Sequence, residues 1–397
     1  MRIRPTTILF FFVMSLLDVS NAFSAVQVVN KDASPLELSI SSVLVDDINP
    51  TIEGELGAWG AVIAPKGQLV ATYEGAQFLL DYSANLARYR LTEDTVLLDE
   101  TQEFDSFKVK LFSRFFISQA WHVDAQIQHL DQTQRFGEGI SQLRSNVLFA
   151  DQLKQNRGAA SLVYGNNTAS RYISLSAFSS KTSYEPNNDY SSSFDIAEQG
   201  VEFDVAYQQS NASSLLFRLT ATDEDFVSEN RQDSRVYQAL LGMDWQPSGK
   251  TKLEALIGMY SREFDSQDSS SGLSWTFDFS TEPTNYWLVK VQSARFTGIS
   301  KSEATSSSVE QNVALDVTYK ASERWHFGVN LSAGNTEFEE VDTVSELNEV
   351  RAGVNVTLIL KEHSQVLFYV GVNEQSYIDS SIDYQQSEAR LTWKVNF

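Results

Sequence analysis

The chain has 397 residues, with 30 Lys and Arg against 52 Asp and Glu for a formal net charge of -22, and it has no cysteine. The acid excess excludes nucleic acid as a natural partner, because its phosphates would be repelled. The missing thiols exclude disulfides, thiolate metal sites and lipid attachment at a cleavage-site cysteine.

The first 22 residues, MRIRPTTILFFFVMSLLDVSNA, place Arg2 and Arg4 before an apolar run from Ile8 to Leu17 and end on small residues at Ser20 and Ala22. This pattern predicts a secretory signal peptide over 1–22, leaving 23–397 as a single domain. No later stretch reaches the 18 or so consecutive apolar residues of a membrane helix. If the chain spans a membrane it must do so as a closed β-barrel, since only closure satisfies every backbone group in lipid.

Alternation of period two recurs along the rest of the chain. Phe78, Leu80, Tyr82 and Ala84 oppose Gln77, Asp81, Ser83 and Asn85, and Val201, Phe203, Val205 and Tyr207 oppose Glu202, Asp204 and Gln208. Val313, Leu315 and Val317 turn away from Asn312, Asp316 and Thr318, and Val350, Ala352, Val354 and Val356 alternate with Arg351, Gly353 and Asn355. Ten-residue segments of this kind, separated by turn residues, are the mark of a transmembrane barrel. They predict an all-β, antiparallel outer-membrane barrel of about eighteen strands, sixteen being the alternative. The strands fall at 36–46, 57–72, 76–90, 104–116, 119–132, 155–165, 169–183, 194–209, 212–227, 231–246, 249–264, 271–281, 284–297, 306–320, 322–337, 344–359, 363–377 and 384–397.

Connection lengths test that reading separately. Counting back from the C-terminus, alternate connections are short (LKEHS, KASE, STEPTN, PSGK, QSNAS, GNN, ISQA, YEGA) and long (DEDFVSENRQD, SSKTSYEPNNDYSSSFDIAEQ, LTEDTVLLDETQEFD, the stretch from Gln132 to Gln155), with YIDSSID the least emphatic outer loop. Membrane barrels have short periplasmic turns and long outer loops. Trp121, Trp245, Trp287, Trp325 and Trp393 fall near the predicted inner turns, and Trp59 and Trp275 near outer strand ends, as girdles at the headgroup boundary require.

The last strand shows the pattern at its strictest. Leu391, Trp393, Val395 and Phe397 make an apolar row and are read as the signal for the barrel-assembly machinery and a lipid-facing edge, while Arg390, Thr392, Lys394 and Asn396 face water. The predicted lumen is of mixed sign. Its candidate pore-lining residues are Asp81, Lys108, Lys110, Glu202, Asp204, Asp316, Arg351, Arg390 and Lys394, with Arg218 and Glu388 beside them. Acids gather in two outer loops, Glu93 to Asp105 and Glu337 to Glu349, but no Asp-x-Asp-x-Asp-Gly calcium loop occurs. Among four histidines only His129, beside Gln128 and Asp131, lies towards the outer rim where barrel hydrolases place a base. No catalytic motif accompanies it, so no enzyme, cofactor or metal is expected.

The stretches IAPKGQLVATYEGAQFLLDYSANLARYR and LGMDWQPSGKTKLEALIGMYSREFDSQDSSSGLSWTFDF, with the acidic VDDINP before them, resemble the β-barrel porin 2 family. The repeating form is carried by Gly242, Trp245, Pro247, Thr251, Leu253, Gly258 and Arg262. The resemblance implies an outer-membrane conduit associated with capsule or exopolysaccharide synthesis, working with a periplasmic polysaccharide-export protein. A general diffusion porin for small hydrophilic solutes is the alternative. The family carries no catalytic residues to transfer.

Overall fold

The computed structural model describes residues 36–397 except 53, 94, 96–97, 166–170, 187–189, 229–230, 266–267, 303–304, 340–343 and 378–382. The predicted signal peptide lies outside the described residues, as do Asp94, Glu340 and Asp342 of the acidic loops and most of the YIDSSID connection.

Eighteen strands follow one another in a single antiparallel sheet. They are β1 (Glu37–Val45), β2 (Ala58–Tyr73), β3 (Ala76–Leu91), β4 (Thr101–Phe116), β5 (Trp121–Thr133), β6 (Gln152–Tyr164), β7 (Arg171–Glu185), β8 (Ile196–Ser210) and β9 (Ser213–Phe226). The second half comprises β10 (Ser234–Ser248), β11 (Thr251–Phe264), β12 (Ser270–Thr284), β13 (Trp287–Ile299), β14 (Ser307–Lys320), β15 (Trp325–Glu339), β16 (Val344–Lys361), β17 (Ser364–Tyr377) and β18 (Asp383–Asn396). Each predicted strand is present with its ends displaced by three residues or fewer. The sheet closes because β1 pairs with both β2 and β18, Ile40 lying opposite Trp393 and Ile63. The Phe397 N–H donates to the Leu36 carbonyl at 2.9 Å across that seam.

Closure gives the two side-chain rows of every strand different solvents. The convex row carries exposed Ile127, Leu175, Leu241, Ile257, Leu331, Val354 and Leu391, a band of large apolar groups that water would not tolerate at this extent. Trp121, Trp245, Trp287, Trp325 and Trp393 stand on the same face at the ends where the connections are short. An indole there keeps its ring in lipid and its N–H near headgroups. At the outer end Trp59 is likewise exposed, whereas Trp275 donates to Ser293 Oγ at 3.1 Å and lies beneath the Arg295 guanidinium. The apolar convex band and closed backbone make this a transmembrane barrel of the Gram-negative outer membrane.

The resembling segment has an architectural role. Gly242 and Gly258 face the lumen on β10 and β11, and a Cβ on either would sit 1.9 or 1.8 Å from the carbonyl oxygen of Ala255 or Ala239. Their absent side chains let the neighbouring strand coil inward, with Leu256 and Leu240 filling the space. Pro247 lies where the β10–β11 register shifts, so its missing N–H interrupts the ladder only at a bulge before the Gly249–Lys250 turn.

Candidate functional site

The lumen divides into two halves. In the outer half, the described residues of 46–52, 54–57 and 134–151 turn inward instead of extending from the rim. Phe136, Ile140 and Val147 are buried, and Phe136 packs edge-on to Phe104, which in turn packs against Tyr89. Ile48 and Ile52 of the first segment complete a cluster with Val43, Val62 and Leu91 of the wall. The two segments hold each other: Asn49 Nδ2 donates to the Val147 carbonyl at 2.7 Å, and Val147 N to Thr51 Oγ1 at 3.0 Å.

Polar anchors tie this plug to the wall at β3, β17 and β18. Arg135 donates to Glu388 at 3.2 Å and to the Tyr89 hydroxyl at 2.9 Å. Gln142 Nε2 reaches Gln375 Oε1 at 3.1 Å, Gln386 reaches the Asp47 carbonyl at 2.5 Å, and the Tyr384 hydroxyl donates to the Gly137 carbonyl at 2.5 Å. Gly137 has a positive φ of 74°, and a Cβ there would meet that hydroxyl at 2.8 Å, so glycine serves both the turn and the close approach. A third inward segment, carrying Tyr190 and Phe194, joins the plug through the Tyr190 hydroxyl on the Ile140 carbonyl and Arg144 stacked 3.9 Å over the Tyr190 ring. Burial raises the Asp47 carboxyl above the usual carboxylate range, opposed by the Leu56 and Asn49 N–H groups; burial also raises Asp151, opposed by Arg144.

The outer wall beside the plug is itself buried. Arg262 is enclosed on Glu224, Ser234 and Thr297, the last two at 2.7 and 3.1 Å. Arg231 donates to the Ser300 carbonyl at 2.8 Å between the Phe194 and Phe226 rings, tying two outer loops together.

Below the plug the wall is polar and wetter. Lys394 and Lys66 flank Glu37 at 2.7 and 3.1 Å, and Gln68 donates to Asp81 at 2.7 Å. Arg218 bonds Asp204 at 2.7 Å with Glu202 at 3.9 Å, and Asp316 accepts from Asn330, which is bonded in turn by Asn355. Lys108 and Lys110 have no hydrogen bond or ion pair among the described residues. The nine candidate pore-lining residues all stand on the concave face, but not in one setting. Arg390 and Arg351 adjoin the plug, through Glu388 and through Glu349 with Gln375, and the rest line the wall below.

His129 is on the convex face, its Nδ1 2.8 Å from Asn156 Oδ1, while Asp131 accepts from Gln152 instead. It forms no catalytic arrangement with a nucleophile among the described residues. His122 and His326 are on the concave face, His122 buried beside the Arg114–Asp124 pair. Leu391, Trp393 and Phe397 are exposed in one convex row, with Val395 half-buried between them.

No family model and no curated protein match the chain, so the likeness to β-barrel porin 2 proteins rests on the quoted motifs. Solved structures similar to this chain include a BenF-like porin from Pseudomonas fluorescens Pf-5, at 11% identity and a TM-score of 0.47 over 92% of this chain and 99% of that one. OccAB3 of Acinetobacter baumannii is similar at 13% identity and 0.47, over 93% and 100%. OccK2 (OpdF) of Pseudomonas aeruginosa, in complex with glucuronate, is similar at 11% and 0.47, over 92% and 99%.

Proposed function

We propose that this barrel is a passive channel for small hydrophilic solutes. The observation that carries the reading is the polar, charged concave wall narrowed in its outer half by inward segments anchored through Arg135, Gln142 and Tyr384. A wide barrel of this strand number leaves an aqueous passage unless something occupies it, and here the plug sets the size limit. Asp81, Lys108, Lys110, Glu202, Asp204, Asp316 and Lys394 would line the route, with Arg351 and Arg390 at the plug's edge. Leu391, Trp393, Val395 and Phe397 would present the closing strand to the assembly machinery and to lipid.

The resemblance carries the second reading, passage of a capsular or exopolysaccharide strand delivered by a periplasmic export protein. A polymer would need the plug to withdraw from its anchors, which counts against that reading. Deleting the gene separates the two. The channel reading expects normal surface polymer, measured by lectin binding, together with slower uptake of small solutes. Loss of surface polymer with solute uptake intact would overturn it in favour of export.

A further inference from the structure

Below the plug one side of the concave wall carries an excess of acids, with Lys252, Lys290 and Arg218 among them. On β10, β11 and β12, Asp244, Glu254 and Asp278 lie directly opposite one another in register on the concave face. Asp244 has no partner among the described residues, Glu254 has Lys252 at 3.6 Å, and Asp278 accepts from Gln292 at 2.6 Å. Asp204 and Glu202 extend the acidic side, offset by Arg218. Like charges directly opposite weaken a sheet, and the two neighbouring lysines offset only part of the three carboxylates of this row.

The basic counterpart is on β2, β3 and β4. Lys66, Lys108 and Lys110 line an open alcove of about 550 Å³ together with Gln68, Ser83 and Asp81. Lys108 is two residues from Lys110 and so shares its face. Glu37 is shared between Lys66 and Lys394, while Lys108 and Lys110 have no ion pair among the described residues, although Asp81 lies opposite Lys110 in register. Around the closed ring, β3 and β11 are eight strands apart one way and ten the other, so the two clusters face each other across the lumen. Lys108 lies at mid-height and the others in the periplasmic halves of their strands, so they act at similar depth.

We propose that the periplasmic half of the lumen favours zwitterionic hydrophilic solutes, drawing their carboxylate towards the lysines of β2 and β4 and their ammonium towards the acidic row of β10 to β12. This rests on the channel reading. An anion is attracted by one wall and repelled by the other, and a cation likewise, whereas a solute with both charges is stabilised by both walls once oriented. Being electrostatic, the effect extends over the Debye length, about 10 Å at 0.1 M salt and about 3 Å at 1 M.

Proteoliposome swelling at low ionic strength tests this with serine, sodium glycerate, serinol hydrochloride and the neutral sugar arabinose. Serine should enter roughly fivefold faster than either ion, about the weight of one charge contact in water. Lys108→Gln with Lys110→Gln should raise serinol relative to glycerate, and Asp244→Asn with Glu254→Gln should do the reverse. Each double variant should lose the serine advantage, as should wild type in 1 M salt. Heat-modifiable migration confirms that each variant barrel has formed. Serine no faster than both ions, or an unchanged order in both variants, overturns the inference while leaving the channel intact. No swelling even with arabinose would instead refute the channel reading, and the inference with it.

Discussion

The outer and periplasmic halves of this barrel use the same strands for opposite ends. In the outer half, charges are enclosed and paired: Arg262 on Glu224, Arg135 on Glu388, Arg231 on backbone carbonyls between two rings. From mid-height to the periplasmic end, Lys108, Lys110 and Asp244 have no partner among the described residues. Burial explains the difference. An unpaired charge buried within the plug would bear a desolvation cost of several kcal/mol, whereas one in a hydrated lumen costs little. The outer half is therefore built for rigidity, and the inner half leaves charges to solvent.

The comparison can be broken most severely at Arg262. Arg262→Leu leaves the Glu224 carboxylate buried and uncompensated, and should destabilise the barrel by about 3 to 5 kcal/mol. Lys394→Gln in the inner half should cost about 1 kcal/mol or less, because water replaces its pairing to Glu37. Urea unfolding in lipid vesicles measures both, and equal costs would mean that the halves do not differ in solvation.

The division between lumen and lipid faces comes next in size. Val354→Lys should cost about 2 to 4 kcal/mol if it lies near mid-membrane, and Arg351→Gln on the opposite face far less. An impermeant thiol reagent should label a cysteine at 351 and spare one at 354. The opposite pattern would put the strand one residue out of register.

The strand frame was legible because period-two alternation and short turns are local signals, so eighteen elements and both faces of β18 could be read directly. The plug was not. The segment from Gln132 to Gln155 reads as an outer loop, since its apolar residues Phe136, Ile140 and Val147 follow no period, and their burial depends on Tyr89, Phe104 and Tyr384 far away in sequence. For the same reason the alternation of β4 points Lys108 and Lys110 to the lumen, whereas nothing local marks Asp244, Glu254 and Asp278 as a group. Those three form a row only once β10, β11 and β12 are in register.

A smaller effect should follow pH. Asp47 and Asp151 hold their protons more tightly in the plug than when released, because burial disfavours their charged forms. The plug is then most stable in acid, and loses that contribution as pH rises from the usual carboxylate range through the raised values. Hydrogen exchange in 46–57 and 134–151 should show greater opening free energy at pH 5 than at pH 8, and Asp47→Asn should reduce the difference. A trend in the other direction would contradict the assignment.

The most direct measurement is single-channel conductance in planar bilayers, comparing wild type with the double variant Arg135→Ala and Tyr384→Phe. Both substitutions remove anchors of the plug and leave the ring of strand pairings untouched. If the plug limits passage, the variant should conduct more and admit larger neutral solutes, with its heat-modifiable barrel unchanged. Equal conductance and the same size limit would show that the inward segments do not control the route.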